Sequence, residues 1–353
     1  MLKRDFLCKS TIWITGNDIG YTGGSSSHME EKYIIQHYLR YHLLYVINSV
    51  CILNSEREKT MAHKRLTSAC LSCLTRGQLD KYPENISEEQ QIMFKQKVLQ
   101  ILATAADNES APMLVNKIDQ LRMEMFGSNT DYSEIKQYFN EYVMKKQTRI
   151  EYEVVKAEDQ LMRALQYAMT GNYIDFGAME SVSEEKFEEL LVSAKFISLD
   201  EQEYKNLKND LETAKTMVFL HDNCGEIVFD HVLIKTLKML YPEMTITSMV
   251  RGFPVLNDAT MDDARQIGLA ETVEVMGNGS TVAGTCLEYI SEEALKVIQN
   301  ADVIISKGQG NFETLYGCGL NVYYLFMCKC NLFAERFHKK LFEGMLINDQ
   351  SVR

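Results

Sequence analysis

The chain has 353 residues, 37 basic and 49 acidic, for a net charge of −12, with 46% hydrophobic and 24% charged side chains. That balance belongs to a globular protein with enough chain for a sizeable core in one or two domains, and it excludes a broadly basic surface for nucleic acid or anionic membrane. No apolar run reaches the about 20 residues needed to span a bilayer, and nine scattered cysteines, an odd number, fit a reduced, cytoplasmic enzyme rather than a disulfide frame.

Residues 1–60 read unlike the rest. Gly23-Gly24-Ser25-Ser26-Ser27-His28-Met29 is linker-like, and 30–60 are rich in Tyr and His without periodicity. The N-terminus lacks the basic, apolar and small-residue order of a secretory signal. A tag, a leader or a helical extension are all compatible with 1–60, and an ordinary start appears at Met61. From there to 215 helical patterns dominate. Ser87 is an N-cap for a helix over 88–105, with Ile92, Phe94, Val98, Leu99 and Leu102 on related faces. A long charged helix is expected over 133–169, another from Ser183, and one over 200–215. The expectation is a domain of five or six helices over 61–215.

Near Met217 the period changes. Short β-branched or aromatic runs at 217–220, 245–250, 272–275, 303–306 and 322–326 alternate with helical patterns at 226–240, 261–268 and 291–300. Alternation at this spacing means βαβ units, so 216–353 is expected to be an α/β domain. It would be a Rossmann-like, mostly parallel sheet flanked by helices.

In such a sheet ligands gather at the carboxyl ends of the strands. The first strand ends in His221-Asp222-Asn223-Cys224-Gly225-Glu226, the second in Arg251-Gly252-Phe253-Pro254-Val255-Leu256-Asn257-Asp258, and the fourth in Ser306-Lys307-Gly308-Gln309-Gly310-Asn311-Phe312-Glu313. Asp222, Asn223 and Asp258 offer hard oxygen donors suited to an octahedral divalent ion. Lys307 beside the Gly308 and Gly310 amides could hold a phosphate that Arg251 clamps, with Asn311 on the same side. Each piece alone has a plainer reading as a turn, a helix cap or a solvated charge. Their convergence on one sheet edge favours phosphoryl chemistry. The Asp222–Glu226 turn is not Gly-x-Gly-x-x-Gly, and no Walker A sequence is present.

These three strand-end motifs, with Gly171-Asn172-Tyr173-Ile174-Asp175-Phe176-Gly177 and Cys70-Leu71-Ser72-Cys73, resemble the metal-dependent damage-control phosphatases, the domain-of-unknown-function family 89. The resemblance covers about residues 61–345. It implies a helical domain packed on a Rossmann-like one, with Asp222, Asn223 and Asp258 as ligands of Mg²⁺, Mn²⁺, Co²⁺ or Ni²⁺ and as the catalytic set. It implies Lys307 on phosphate, and hydrolysis of small phosphomonoesters such as sugar phosphates or damaged phosphometabolites. Either water or Asp222 would be the nucleophile. Asn172 and Asp175 would reach the cleft as substrate contacts, or form a capping turn. Glu226 would orient water or ligand, or face the helix dipole. Cys224 is expected to be a packed residue. Cys70 and Cys73, without a second Cys or His pair, are expected to be buried in the helical core. The alternatives are an S-adenosylmethionine-dependent carboxyl methyltransferase and a non-catalytic phosphometabolite-binding protein. The expected partner is a small phosphorylated metabolite, with neither nucleic acid nor membrane.

Overall fold

The computed structural model describes residues 66–127, 130–173 and 184–352. The readings of 1–60 and of a start at Met61 lie outside the described residues, as does Asp175. Ala62–Arg353 form one compact unit.

The helical half contains α1 (Ser68–Gln78), α2 (Glu88–Ala103), α3 (Ala111–Phe126), α4 (Ser133–Val155), α5 (Gln160–Tyr173), α6 (Glu184–Ser193) and α7 (Glu201–Thr213). Ser87 caps α2 in a reciprocal box with Gln90. The run expected as one helix over 133–169 is two. No Gly or Pro marks the break; it is held by Asp159, whose Oδ1 accepts the Met162 N–H at 3.0 Å while the Tyr204 hydroxyl donates to both carboxylate oxygens at 2.7 and 2.8 Å. α3 was not anticipated, although Pro112 in its first turn and the left-handed Gly127 after it are ordinary boundary signals.

The expectation for the Cys-x-x-Cys pair is corrected: Cys73 is exposed and Cys70 half-buried. Helix α1 buries Leu74 and Gln78, and Leu66 just ahead of it is buried one four-residue step before Cys70. Cys70 lies on that four-residue spacing and Cys73 falls off it.

Strands β1 (Thr216–Leu220), β2 (Thr245–Val250), β3 (Glu274–Gly277), β4 (Val303–Lys307), β5 (Val322–Met327) and β6 (Gly344–Asn348) form one sheet in the order β3-β2-β1-β4-β5-β6. All neighbours are parallel except β6, an antiparallel edge strand that had not been expected. Helices α8 (Glu226–Leu240), α9 (Met261–Gln266), α10 (Glu292–Gln299), α11 (Gln309–Leu315) and α12 (Asn331–Arg336) make the crossovers and edge connections. The strand order reverses between β1 and β4, the switch point where a doubly wound sheet opens a crevice.

Both faces of the sheet are buried, as a parallel sheet requires, and its period of two sorts the side chains. Met217, Phe219, Val303, Ile305, Tyr323 and Leu325 face the core shared with α4, α5 and α8. Val218, Leu220, Ile304, Tyr324 and Phe326 face the opposite core. Continuing the alternation puts His221 after Phe219 and Lys307 after Ile305, both toward α8 rather than toward the open edge.

Candidate active site

Two crossover loops are zipped together at the switch point. The Cys224 N–H donates to the Asn257 carbonyl at 2.9 Å, the Ala259 N–H to the Asp222 carbonyl at 2.7 Å, and the Arg251 N–H to the Ala259 carbonyl at 2.9 Å. This pairing brings Asn223 opposite Asp258 and Arg251 opposite Thr260. Residues 36 apart in sequence, Asp222 and Asp258, are thereby placed at one point by backbone hydrogen bonds.

Arg251, buried at 1% exposure, lies between the two carboxylates. Its Nε donates to Asp258 Oδ2 at 2.5 Å, Nη2 reaches Asp222 Oδ1 at 3.5 Å, and Nη1 donates to Asn311 Oδ1 at 3.0 Å. The Asn311 amide nitrogen in turn donates to the His221 and Lys307 carbonyls at 2.9 and 2.7 Å. Arg251 and Asn311, expected on a phosphate, are here turned inward as the frame of the aspartate pair. Burial pushes the Asp222 carboxyl well above the usual carboxylate range, helped by the charges of Glu226 and Asp258 and opposed by Arg251 and Lys329. Burial also raises Asp258, against the pull of Arg251.

Asp222 Oδ2 is held from the other side by two amides. Asn223 Nδ2 donates to it at 2.7 Å and also lies 3.1 Å from Glu226 Oε2. Asn172 Nδ2 lies 3.4 Å from it and 3.1 Å from each Glu226 oxygen, while Asn172 Oδ1 accepts the Met327 N–H at 2.9 Å. Asn172 reaches so far because α5 crosses α8 closely at Gly171, where a Cβ would stand 2.9 Å from the Phe229 ring. Gly308 makes a second close approach. Its φ is +80°, and a Cβ there would sit 1.9 Å from Asp222 Oδ2.

Beneath this layer lies a closed ionic one. The Lys307 ammonium, fully buried, donates to Glu226 Oε1 at 2.5 Å, Asp230 Oδ1 at 2.7 Å and the Ala168 carbonyl at 2.9 Å. Its three protons meet three acceptors, and although burial opposes the charge, the two carboxylates carry the pKa up to about 12. Asp230 Oδ2 also meets His221 Nδ1 at 3.0 Å. The expected contact of Lys307 with phosphate is therefore not part of this geometry: strand alternation and the i, i+4 acids of α8 draw it under the sheet. Cys224 is buried, and burial pushes its thiol up, away from the thiolate a nucleophile needs.

Among the residues the sequence reading missed is Lys329, half-buried just after β5, whose charge acts on Asp222. The strand-end rule applied to one more strand would have found it. Asn257 is another: its Nδ2 donates to Asn223 Oδ1 at 2.9 Å and fixes that amide. A cavity of about 620 Å³ opens beside the β2–α9 loop, lined among others by Lys81, Asn116, Arg122, Lys136, Leu256 and Gln266. Lys136 bonds Asp263 at 2.7 Å and its charge reaches Asp258.

The donor chemistry fits a hard divalent ion, since it is all oxygen and since burial, the main cause of the raised proton affinity of both carboxylates, favours a cation beside them. Among the described residues no three His, Cys, Asp or Glu side chains form a metal-binding group, so such an ion would rest on Asp222 and Asp258 with amide oxygen or water. Asn223 turns its nitrogen toward Asp222 and its oxygen toward Asn257.

Residues 66–344 match the family model of the damage-control phosphatase ARMT1-like domain. The chain belongs to that family. The damage-control phosphatase PH1575 of Pyrococcus horikoshii is 28% identical over 287 residues, covering 79% of this chain and 95% of that protein. A damage-control phosphatase of Archaeoglobus fulgidus is 30% identical over 279 residues, covering 77% and 94%. The crystal structure of the DUF89 family protein PH1575 matches with a TM-score of 0.69 at 24% identity, over 80% of this chain and 99% of that one, and shows the same fold. The names of these relatives support a phosphatase, hence a hydrolase, here.

Proposed function

We propose that the protein hydrolyses small phosphomonoesters, sugar phosphates or damaged phosphometabolites, with a divalent metal ion held by Asp222 and Asp258, while Asn223, expected as a third ligand, is spent on orienting Asp222. The observation that carries this is the pair of buried aspartates at the switch point, joined through Arg251, whose proton affinity is raised by burial and, at Asp222, by neighbouring negative charge. Mg²⁺, Mn²⁺, Co²⁺ or Ni²⁺ suits oxygen donors; bound there, it would neutralise charge on the phosphoryl oxygens and favour attack.

The chain's own residues do the rest. Arg251 and Asn311 keep the two carboxylates in register, and Asn172 and Asn223 orient Asp222 Oδ2. Lys329, half-buried just after β5 and acting by its charge on Asp222, meets the phosphate. The cavity beside the β2–α9 loop, rich in amides and hydroxyls, receives the organic part of the ester. Among the described residues no helix is long and apolar enough to cross a membrane. The relatives' names favour this reading over a carboxyl methyltransferase.

Phosphate release from p-nitrophenyl phosphate and a sugar-phosphate panel, after chelation and return of single metals, tests the reading. Metal-restored release that Asp222→Asn lacks supports it. Release unaffected by chelation, or retained by the variant, overturns the assignment.

A further inference from the structure

We propose that Lys307 is a positioning residue of this phosphatase and not a phosphate contact: through Glu226 it holds the amides of Asn172 and Asn223 against Asp222. The inference rests on the phosphatase reading above and deepens it.

Lys307 and Glu226 are both fully buried, their charged atoms 2.5 Å apart, and Asp230 closes the group at 2.7 Å. An ammonium whose three protons go to Glu226, Asp230 and the Ala168 carbonyl has none left for an anion. A phosphate brought to it would meet two carboxylates first. Lys307 instead neutralises Glu226, which otherwise stands as a second negative charge facing Asp222.

The consequence is geometric. Each bridging amide has two N–H bonds, one for each carboxylate. Asn223 spends them on Asp222 at 2.7 Å and Glu226 at 3.1 Å; Asn172 spends them on Asp222 at 3.4 Å and Glu226 at 3.1 Å. Glu226 is the common anchor of both, so its position sets where Asp222 Oδ2 points, while Oδ1 turns toward Arg251. Lys307 fixes that anchor from below, tying β4 to α8 and, through the Ala168 carbonyl, to α5. Supporting groups of this kind hold a metal-binding carboxylate in its productive orientation.

The test uses the full chain with Mn²⁺ and inorganic phosphate as separate probes. Lys307→Met, Glu226→Gln and the double variant are compared for Mn²⁺ affinity by calorimetry, phosphate affinity at saturating Mn²⁺, and kcat and KM on p-nitrophenyl phosphate. Either single change is expected to weaken Mn²⁺ by about 10–100-fold and to lower kcat, with KM and phosphate affinity unchanged. The double variant is expected to be no worse than the worse single, because both break one link. Lys307→Met that raises KM and weakens phosphate while Mn²⁺ affinity stays at the wild-type value overturns the proposal. If Lys307→Met does not fold, Glu226→Gln decides: unchanged Mn²⁺ affinity there overturns it equally. A wild-type protein that binds no Mn²⁺ also overturns it. A wild-type protein that binds Mn²⁺ but hydrolyses no ester refutes the phosphatase reading alone, and the Mn²⁺ comparison still decides the role of Lys307.

Discussion

Two polar layers lie at the carboxyl edge of one sheet, a few ångströms apart, and they differ in how their charge is balanced. The upper layer, Asp222 and Asp258 with Arg251, holds two carboxylates around one guanidinium, and burial raises the proton affinity of both acids. The lower layer, Lys307 with Glu226 and Asp230, is a lysine whose every proton has an acceptor. A buried carboxylate that would accept a proton will also accept a metal cation, whereas a saturated ion cluster accepts nothing and serves as a frame. The strand ends that read alike in sequence thus split into a ligand-facing set and a supporting set.

The comparison makes its strongest claim about Asp222. Asp222→Asn should lower phosphate release at least about 10³-fold, on the order of 4 kcal/mol in activation free energy. It should leave the metal-free protein no less stable, because the amide replaces a carboxyl that burial already disfavours as an anion. Thermal melts beside the activity assay check both halves; a large loss of stability would move Asp222 into the supporting set. The lower layer predicts the reverse. Lys307→Met leaves Glu226 and Asp230 without their cation, a change that costs about 3–5 kcal/mol, measured by urea unfolding. A loss below about 1 kcal/mol would mean that the layer is not the closed frame described above.

Gly308 joins the layers. Gly308→Ala combines a φ of +80° with a Cβ 1.9 Å from Asp222 Oδ2, whereas Gly317→Ala has φ +78° and open space around it. Both should lose about 1–3 kcal/mol of stability to backbone strain. Displacement of Asp222 should make the first also lose about 10–100-fold in activity. Equal activities would show that Asp222 has room to move.

What the sequence made legible follows from the same physics. Five strands were visible because each carries a short β-branched or aromatic run between helical patterns, although β3 is a half-exposed edge and β2 and β4 contain buried serines. β6 was not, since Gly344-Met345-Leu346-Ile347-Asn348 holds one β-branched residue and no aromatic, and it joins the edge antiparallel, outside the βαβ alternation. The break at Asp159 was hidden because it is made by a tertiary hydrogen bond to Tyr204 rather than by Gly or Pro. Of the site, Asp222, Asn223 and Asp258 were legible from the strand-end rule. The inward course of Lys307 was also written there, in the alternation Val303, Ile305, Lys307 and in Glu226 and Asp230 one helical turn apart, but only the strand order shows that these lie face to face. Arg251 and Asn311 could not be assigned from sequence, since either a phosphate or Asp258 satisfies a guanidinium.

Glu313 supplies a test that is read in pH rather than in activity. It lies on α11 with Oε1 accepting the Gln309 amide at 2.8 Å, and burial pushes its pKa from 4.5 up to about 7, against the pull of that hydrogen bond. The folded protein therefore holds this proton more tightly than the unfolded chain. Its contribution to stability is fully present below about pH 4.5 and is lost as pH rises through about 7. Glu313→Gln keeps an acceptor for Gln309 and removes the charge, so its melting temperature should match wild type near pH 5 and exceed it by pH 8. His231 works the other way: burial lowers its pKa from 6.5 to about 4, so its contribution is lost on acidification below about 6.5. Since both proteins carry His231, the difference between their melting curves isolates Glu313. Curves that stay parallel from pH 5 to 8 would show that folding does not shift the Glu313 carboxyl, and that burial there is offset by its surroundings.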